Sequence, residues 1–565
     1  MILEKLSEII TSVANKIGYN ESLRVIKSNR PDLCDYQCDE VFKLTKIYHK
    51  SPVEIGEELV KNINEINNFS DYFEKVEFCM PGFINITVSN KFINDSLKLM
   101  SINDKFNLKM PNKVVTYVLD YGGPNVAKPL HVGHLRPAIV GESVKRIIDY
   151  LGHKVVADVH LGDIGLPIGE VIYACLRDNV KPADLTLEYL NKVYPEMSSL
   201  IKVNEEVKSE CAAIIKDVQE KKNYLDYWKK ICEISISDIK RLYKYLDVSF
   251  DYWYGESDAY DYIPKVKEFL IEKDLLKNSQ GAKVVFINKE DDKIEYPPLI
   301  FEKSNGAYLY ESSELGTLYQ RMKDFNPDYV LYFTDFRQGL HFDQVFRVCE
   351  MSGLTKDAKL LHLPNGTING IDGKPYKTRS GDTPKLDALF DEVKEIFISK
   401  KESNKDMDSV DIDKIVNSII KFADLQNSRD RDYIFDINKF SDTQGKTGPY
   451  ILYTYLRMNK ILEKYENNIN KITNKIYNNY DRDLRMQILD LENYIYSAFK
   501  EFKPSYIAEY IYNLCVSMNS FYQNNHIANL TDKENLNDWL SIIELANNII
   551  KEMLNLLIIE IPKEM

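Results

Sequence analysis

The sequence predicts a multidomain α/β protein. A parallel-sheet domain stands at its centre, with a small α+β unit before it and an all-α bundle after it. Three observations carry this. An apolar, β-branched run from Val114 to Leu119 is broken by Gly122, Gly123 and Pro124. Apolar residues then recur at helical spacing at Ile139, Val140, Val144, Ile147, Ile148 and Leu151. A second strand-like run, HKVVADVHL, follows, so the two strands and the helix between them form a βαβ unit, and hence a parallel sheet. Beyond about residue 405 the pattern is helical to the last residue. At 565 residues the chain exceeds what one hydrophobic core can serve.

Residues 1–105 read as the α+β unit. MILEKLSEIITSVANKIG is amphipathic, without the basic-then-apolar order of a signal peptide, and is expected to be a first helix. VFKLTKIYHKSPVEIGEELVKNI gives two helices, with Ser51 as a cap and Pro52 at the first helical position. FEKVEFCMPGFINITVSN alternates like a hairpin turning at Pro81-Gly82.

Residues 106–405 read as a doubly wound sheet of the Rossmann type, with its ligand site at the carboxyl ends of the strands. Charged helical segments over about 176–280 are an inserted layer. AKVVFI, AYLYESS and DYVLYFT are expected to be further strands. The polar stretch KKESNKDMDSVD could join this domain to 406–565, where VNSIIKFADL, YILYTYLRMNKILEKY and ELANNIIKEMLNLLII predict a helix bundle.

Composition sets outer limits. No run of about 18 apolar residues predicts a membrane span. The eight cysteines are scattered. Cys34 and Cys38 lack the further ligands of a zinc set, so reduced cysteines, no bound metal and a cytoplasmic location are expected. A net charge of −13 argues against a surface coated for non-specific nucleic-acid binding, yet leaves room for a local basic track.

Two stretches carry candidate chemistry. His131-Val132-Gly133-His134 opens a helix directly after a strand and a Gly/Pro turn. Backbone N–H groups and the helix dipole there favour phosphate, and Gly133 lets a ligand approach the backbone. Imidazoles can also stabilise charge that builds up in displacement at phosphorus. Residues 370–382, GIDGKPYKTRSGD, combine three glycines with Lys374, Lys377 and Arg379, a composition suited to a triphosphate. Each stretch alone has a bland reading, as a surface turn or a solvated basic loop.

Together they resemble the paired signatures of class I aminoacyl-tRNA synthetases. DYGGPNVAKPLHVGHLR and GKPYKTRSG resemble the arginyl-tRNA synthetase versions. DYQC at 35–38, PGFINI at 81–86, VHLGDIG at 159–165, YESSELG at 310–316, FRQGLHFDQVF at 336–346, QGKTGPYILYTYLR at 444–457 and NSFYQNN at 519–525 extend the resemblance over nearly the whole chain. It implies an N-terminal domain for the tRNA elbow, a catalytic domain and a helical anticodon-binding domain. It also implies ATP with Mg2+ as a substrate complex, no tightly bound cofactor, L-arginine and tRNA(Arg) as partners, and a monomer. Tested residue by residue, the resemblance puts His131, Gly133, His134, Lys374 and Lys377 on ATP. Asp120, Asn125, Tyr310, Glu314 and Gln338 fall on arginine. Tyr450, Tyr453, Arg457 and Tyr522 fall on the anticodon, with Tyr455 in the same block. Carboxylates suit a guanidinium, because its planar fork takes charge and geometry together.

Four positions depart from the family pattern. Pro137 follows Arg136 where serine is usual, Ile164 stands for tryptophan, Pro167 for glutamine and Glu314 for aspartate. The last helix also lacks a glycine expected near Ile558. Two other readings remain open: a divergent copy with altered specificity or a purely tRNA-binding role, and a class I enzyme for another amino acid. An acidic pocket argues against the second, since an uncharged side chain would leave buried charges unpaired.

Overall fold

The structure, a computed structural model, describes residues 2–377, 385–400, 407–465 and 472–565. The chain forms two compact units.

One unit gathers residues 1–110, 451–497 and 509–553. Its N-terminal part opens with the amphipathic helix Ile2–Lys16 and carries a four-stranded antiparallel sheet in the spatial order 26–27, 36–38, 83–88, 73–79. The hairpin forms as its alternation requires, with Val76 opposite Ile86 and Phe78 opposite Ile84. Ser51 caps the helix Pro52–Asn64 by accepting from the Glu54 N–H at 3.1 Å. In the helical part Arg485 is fully buried. It donates to Asp481 at 2.7 Å, Asn94 at 2.6 Å and Asp538 at 2.5 Å. A guanidinium removed from water is tolerable only when its donors are taken up in this way.

The other unit spans residues 111–450, 498–508 and 554–565. Its core is a five-stranded parallel sheet in the spatial order 359–362, 329–333, 116–121, 154–161, 252–255. The chain runs outward from the central strand through 154–161 to 252–255. It then returns to the opposite side of the centre at 329–333. The order therefore reverses between 116–121 and 329–333, and the carboxyl ends there form the crevice where such sheets bind ligands. Val118, Val156, Val330 and Tyr332 pack with Leu315, Leu318, Phe342 and Val345 to hold this region rigid. The inserted layer consists of helices Leu187–Leu200, Glu205–Gln219 and Leu225–Tyr245.

Two expected strands differ. AYLYESS is not a strand of the sheet. Only Tyr308 makes an isolated bridge, to Glu302, and a helix runs from Tyr310 to Asp324. Its apolar face is Leu315, Leu318 and Met322, a helical spacing that the tyrosines before it mask. AKVVFI contributes the strand Ala282–Val285, but to a separate three-stranded antiparallel sheet. The cause is local. Gln280 and Gly281 both take positive φ, +49° and +81°, a two-residue hairpin turn that returns the chain onto strand 276–279.

Ile558 takes φ +53°, the left-handed conformation a glycine would adopt without strain. It is completely buried, and its carbonyl accepts from the buried Lys421 ammonium at 2.8 Å. Fixed burial thus holds a conformation that a β-branched residue resists.

Arg485→Ala would leave Asp481 and Asp538 buried without their cation. A loss of about 3–5 kcal/mol is expected, read from the urea or thermal unfolding midpoint.

Candidate active site at the carboxyl end of the parallel sheet

The central strand Thr116–Tyr121 ends in a turn built on close backbone contact. Gly122 has φ +65° and its carbonyl accepts from the Tyr243 hydroxyl. Val126 N–H donates to the Gly162 carbonyl at 3.0 Å, and Gly162 N–H donates to the Pro124 carbonyl at 3.1 Å. This pairs the Asn125 segment with the end of strand 154–161. A Cβ at Gly162 would fall 1.9 Å from Asn125 Oδ1, so the glycine makes room for that side chain.

The helix Val132–Tyr150 then begins with two imidazoles that cap it reciprocally. His131 Nδ1 accepts from Gly133 N–H at 3.1 Å, and His134 Nδ1 accepts from His131 N–H at 3.1 Å. With both Nδ1 atoms acting as acceptors, the neutral rings carry their protons on Nε2. The ring centroids lie 3.9 Å apart. Burial pushes the His134 pKa down to about 3, helped by His131 and Lys128, and lowers that of His131 as well. The pair is therefore a set of neutral N–H donors at a helix N-terminus. Lys128, which the sequence reading passed over, supplies a nearby positive charge.

Pro137 is the sixth residue of this helix, so it lies in the second turn and not the first. Its missing N–H removes the bond that would reach the Gly133 carbonyl, a real cost that the first-turn position would have avoided. Next to it Arg136 is buried. It donates to the Arg431 and Ser428 carbonyls at 2.6 and 3.0 Å and lies 3.3 Å from Asp424, fixing the helix from behind.

The arginine-site candidates converge on one crevice. Tyr310 and Glu314 are four apart on the helix Tyr310–Asp324 and share a face with Thr317 and Arg321. Tyr310 packs on the His341 ring at 4.6 Å. Glu314 is 2% exposed, and its Oε1 has no hydrogen-bond partner among the described residues. The same holds for Gln338 Oε1 and for the Tyr332 hydroxyl. Asp120 is differently placed from its expected role: its Oδ2 already accepts from Arg321 Nη2 at 2.6 Å, while Arg321 Nε donates to Asp158 at 2.8 Å. Burial raises the Asp120 pKa to about 6, against the pull of Arg321. Sequence reading also missed Glu256, a half-buried carboxyl pushed up to about 7 by burial beside Asp163 and Glu314. Its only signal was position, just past the end of strand 252–255.

Two departures from the family pattern sit quietly in the fold. Ile164 is buried, and the indole of Trp228 from the inserted layer donates to the adjacent Asp163 carbonyl at 2.7 Å. Pro167 stands in the first turn of Leu166–Arg177, where its missing N–H costs nothing.

The second signature is an exposed turn. Gly370 N–H donates to the Lys374 carbonyl at 2.8 Å, and Lys374 and Lys377 both face solvent. Arg379 lies outside the described residues. The chain re-emerges at Lys385 bridged to His131, with Leu386 N–H donating to the Leu130 carbonyl at 3.0 Å. The return of the lysine loop is thus pinned beside the histidine turn.

Of the anticodon candidates, Tyr453 is 46% exposed, while Tyr450 and Tyr455 are half-buried. Arg457, one turn beyond Tyr453, lies 4.5 Å above the Tyr522 ring.

A reversing parallel sheet, a His-x-Gly-His helix start at its switch point and a basic Gly-rich loop returning beside it define the catalytic unit of a class I aminoacyl-tRNA synthetase. Three family models divide the chain. Residues 2–88 match the arginyl tRNA synthetase N terminal domain, 97–437 the class I (R) tRNA synthetase catalytic domain, and 451–565 the DALR anticodon binding domain. The arginine–tRNA ligases of Alkaliphilus oremlandii and Agathobacter rectalis are 35% and 37% identical, each over the whole of both chains. The arginyl-tRNA synthetase structure from Plasmodium falciparum superposes with a TM-score of 0.82 at 28% identity, over 100% of this chain and 99% of that one. That from Thermus thermophilus, at 19% identity, shares the fold with a TM-score of 0.81 over all of both chains. The chain belongs to the arginyl-tRNA synthetase family.

Gly162→Ala is expected to displace Asn125 and raise the KM for the amino acid by about tenfold or more, in line with the sensitivity of reacting geometry to small displacements. Steady-state kinetics beside an unchanged circular dichroism spectrum would check it.

Proposed function

We propose that the protein activates L-arginine with MgATP and transfers it to tRNA(Arg), acting as a monomer in the cytoplasm. Residues 1–105, 106–405 and 406–565 then serve tRNA-elbow binding, catalysis and anticodon binding. In the first step a carboxylate oxygen of arginine attacks the α-phosphorus and diphosphate leaves, giving arginyl-adenylate. In the second a ribose hydroxyl at the tRNA 3′ end attacks the activated carbonyl and AMP leaves. Neither step needs a protein nucleophile. The enzyme's task is positioning and charge stabilisation.

On this reading the Nε2–H groups of His131 and His134 donate to phosphate oxygens as charge spreads, and Gly133 admits the nucleotide to the backbone. Lys374 and Lys377 neutralise the departing diphosphate. Asn125 and Gln338 hold the amino-acid end, Tyr310 covers it, and Glu314 and Asp120 face its cationic groups. Tyr450, Tyr453, Arg457 and Tyr522 meet the anticodon loop by stacking and base-edge contacts. The observation that carries the arginine reading is the pair of acceptors without partners among the described residues, Glu314 Oε1 and Gln338 Oε1, with Asp120 as a second carboxylate close to Glu314. Buried acceptors left unpaired are costly, and a multi-donor cation is the ligand that satisfies them.

A second reading, a tRNA-binding relative without catalysis, draws on Pro137, which interrupts the histidine helix in its second turn. Charging of purified tRNA with arginine separates the two, since a non-catalytic protein gives no aminoacyl product. His134→Ala is expected to lower kcat by about 100- to 1,000-fold in a protein that still folds, the scale set by loss of one preorganised donor. Glu314→Gln is expected to lower kcat/KM for arginine by at least about 100-fold while narrowing the preference over citrulline, because its carboxylate no longer pairs with a guanidinium. Equal preference in the unaltered protein would remove Glu314 from arginine recognition.

A further inference from the structure

The helix Tyr310–Asp324 carries a fourth residue on its pocket face that the roles above do not use. Arg321 is 1% exposed and lies two turns beyond Glu314 and three beyond Tyr310. It spans two neighbouring strands of the parallel sheet, donating through Nη2 to Asp120 Oδ2 at 2.6 Å and through Nε to Asp158 Oδ2 at 2.8 Å. Its plane lies 5.3 Å from the Tyr332 ring on the strand across the switch point. One guanidinium therefore touches three adjacent strands at their carboxyl ends.

The effect on Asp120 is specific. Arg321 takes Oδ2, and no described hydrogen bond reaches Oδ1. The side chain keeps 10% exposure, with Glu314 close enough to act on its charge. A carboxylate this buried is held ionised only by a cation in contact. The groups facing it are Arg321 and Glu314 from the helix, Asp158 and His160 from one neighbouring strand, Tyr332 from the other, and Tyr310 above. Arg321 is the only permanent cation in that set.

We propose that Arg321 is a positioning residue for amino-acid binding: it fixes one oxygen of Asp120 and keeps the carboxyl charged, so that the other oxygen is presented to a cationic group of the substrate. It acts through Asp120, to which its Nη2 is committed while Nε is held by Asp158; Nη1 has no partner among the described residues. This rests on the reading of the crevice as the arginine site.

The test is the pH dependence of the KM for arginine in tRNA charging, measured with full-length protein and saturating ATP and tRNA. In the unaltered protein this KM should be flat at neutral pH and rise as pH falls through about 6, where Asp120 takes up a proton. Arg321→Met removes the cation, so the carboxyl protonates at higher pH. The rise should begin about two pH units earlier, giving about a tenfold higher arginine KM at neutral pH with the ATP KM within about twofold. Arg321→Lys keeps the charge without the fork. It should raise KM less and leave the inflection nearly in place, and it serves if the methionine variant does not fold. Asp158→Asn removes a facing negative charge and should move the inflection to lower pH. Equal rises in both KM values with an unmoved inflection would mean that Arg321 is only structural, and would overturn the proposal. Absence of arginine turnover in the unaltered protein would overturn the arginine reading and this inference with it.

Discussion

The chemistry at the end of the sheet depends on how buried charge is balanced there. Asp120 and Asp158 lie on neighbouring parallel strands near their carboxyl ends, and Glu314 lies on the helix Tyr310–Asp324 beside them, all nearly out of water. Three carboxylates cannot share such a place unless something pairs with them. Arg321 is the internal partner for two. Glu314 is left with an acceptor that the protein does not satisfy. Three carboxylates against one guanidinium leave an excess of negative charge, which on the proposed reading the guanidinium of arginine enters to offset. On that reading specificity follows from the same excess, since a neutral side chain would leave it standing.

The phosphate end of the crevice is organised on the opposite principle. Nothing charged caps the helix at His131. Two neutral imidazoles close the capping box with Nδ1 and leave Nε2–H outward. Burial lowers the pKa of both rings, that of His134 to about 3, which favours the neutral donor form. Positive charge is then delivered separately, by Lys128 within the turn and by the lysine loop that returns at Lys385. Neutral donors and lysine charge are thus brought together from segments far apart in sequence.

Local features were legible in the sequence and long-range ones were not. The histidine helix, the strand before it and the hairpin at 73–88 depend on periodicity and turn residues, which the sequence displays directly. Glu314 and Tyr310 were named as site residues even though AYLYESS was read as a strand, because the resemblance located them without knowledge of the local fold. Arg321 escaped notice for a physical reason. Its partners lie 163 and 201 residues away in sequence, and an arginine late in a helix ordinarily reads as a solvated cation favouring the dipole. The cost of Pro137 is also hidden in the sequence, since it depends on whether the helix begins at His131 or nearer the proline.

The two departures that matter most pull on different parts of this balance. On the proposed reading Glu314 adds a methylene to the carboxylate that meets the guanidinium, lengthening its reach beside the Asp120–Arg321 pair. Pro137 weakens the helix just behind the histidines, while Arg136 holds that helix to the Ser428–Arg431 segment through two carbonyls. A lost backbone bond on one side of the turn is set against two charge-assisted bonds on the other, and the latter are individually the stronger kind. The capping geometry therefore survives a substitution that would otherwise loosen it. That is why the histidine turn remains a donor site in this chain.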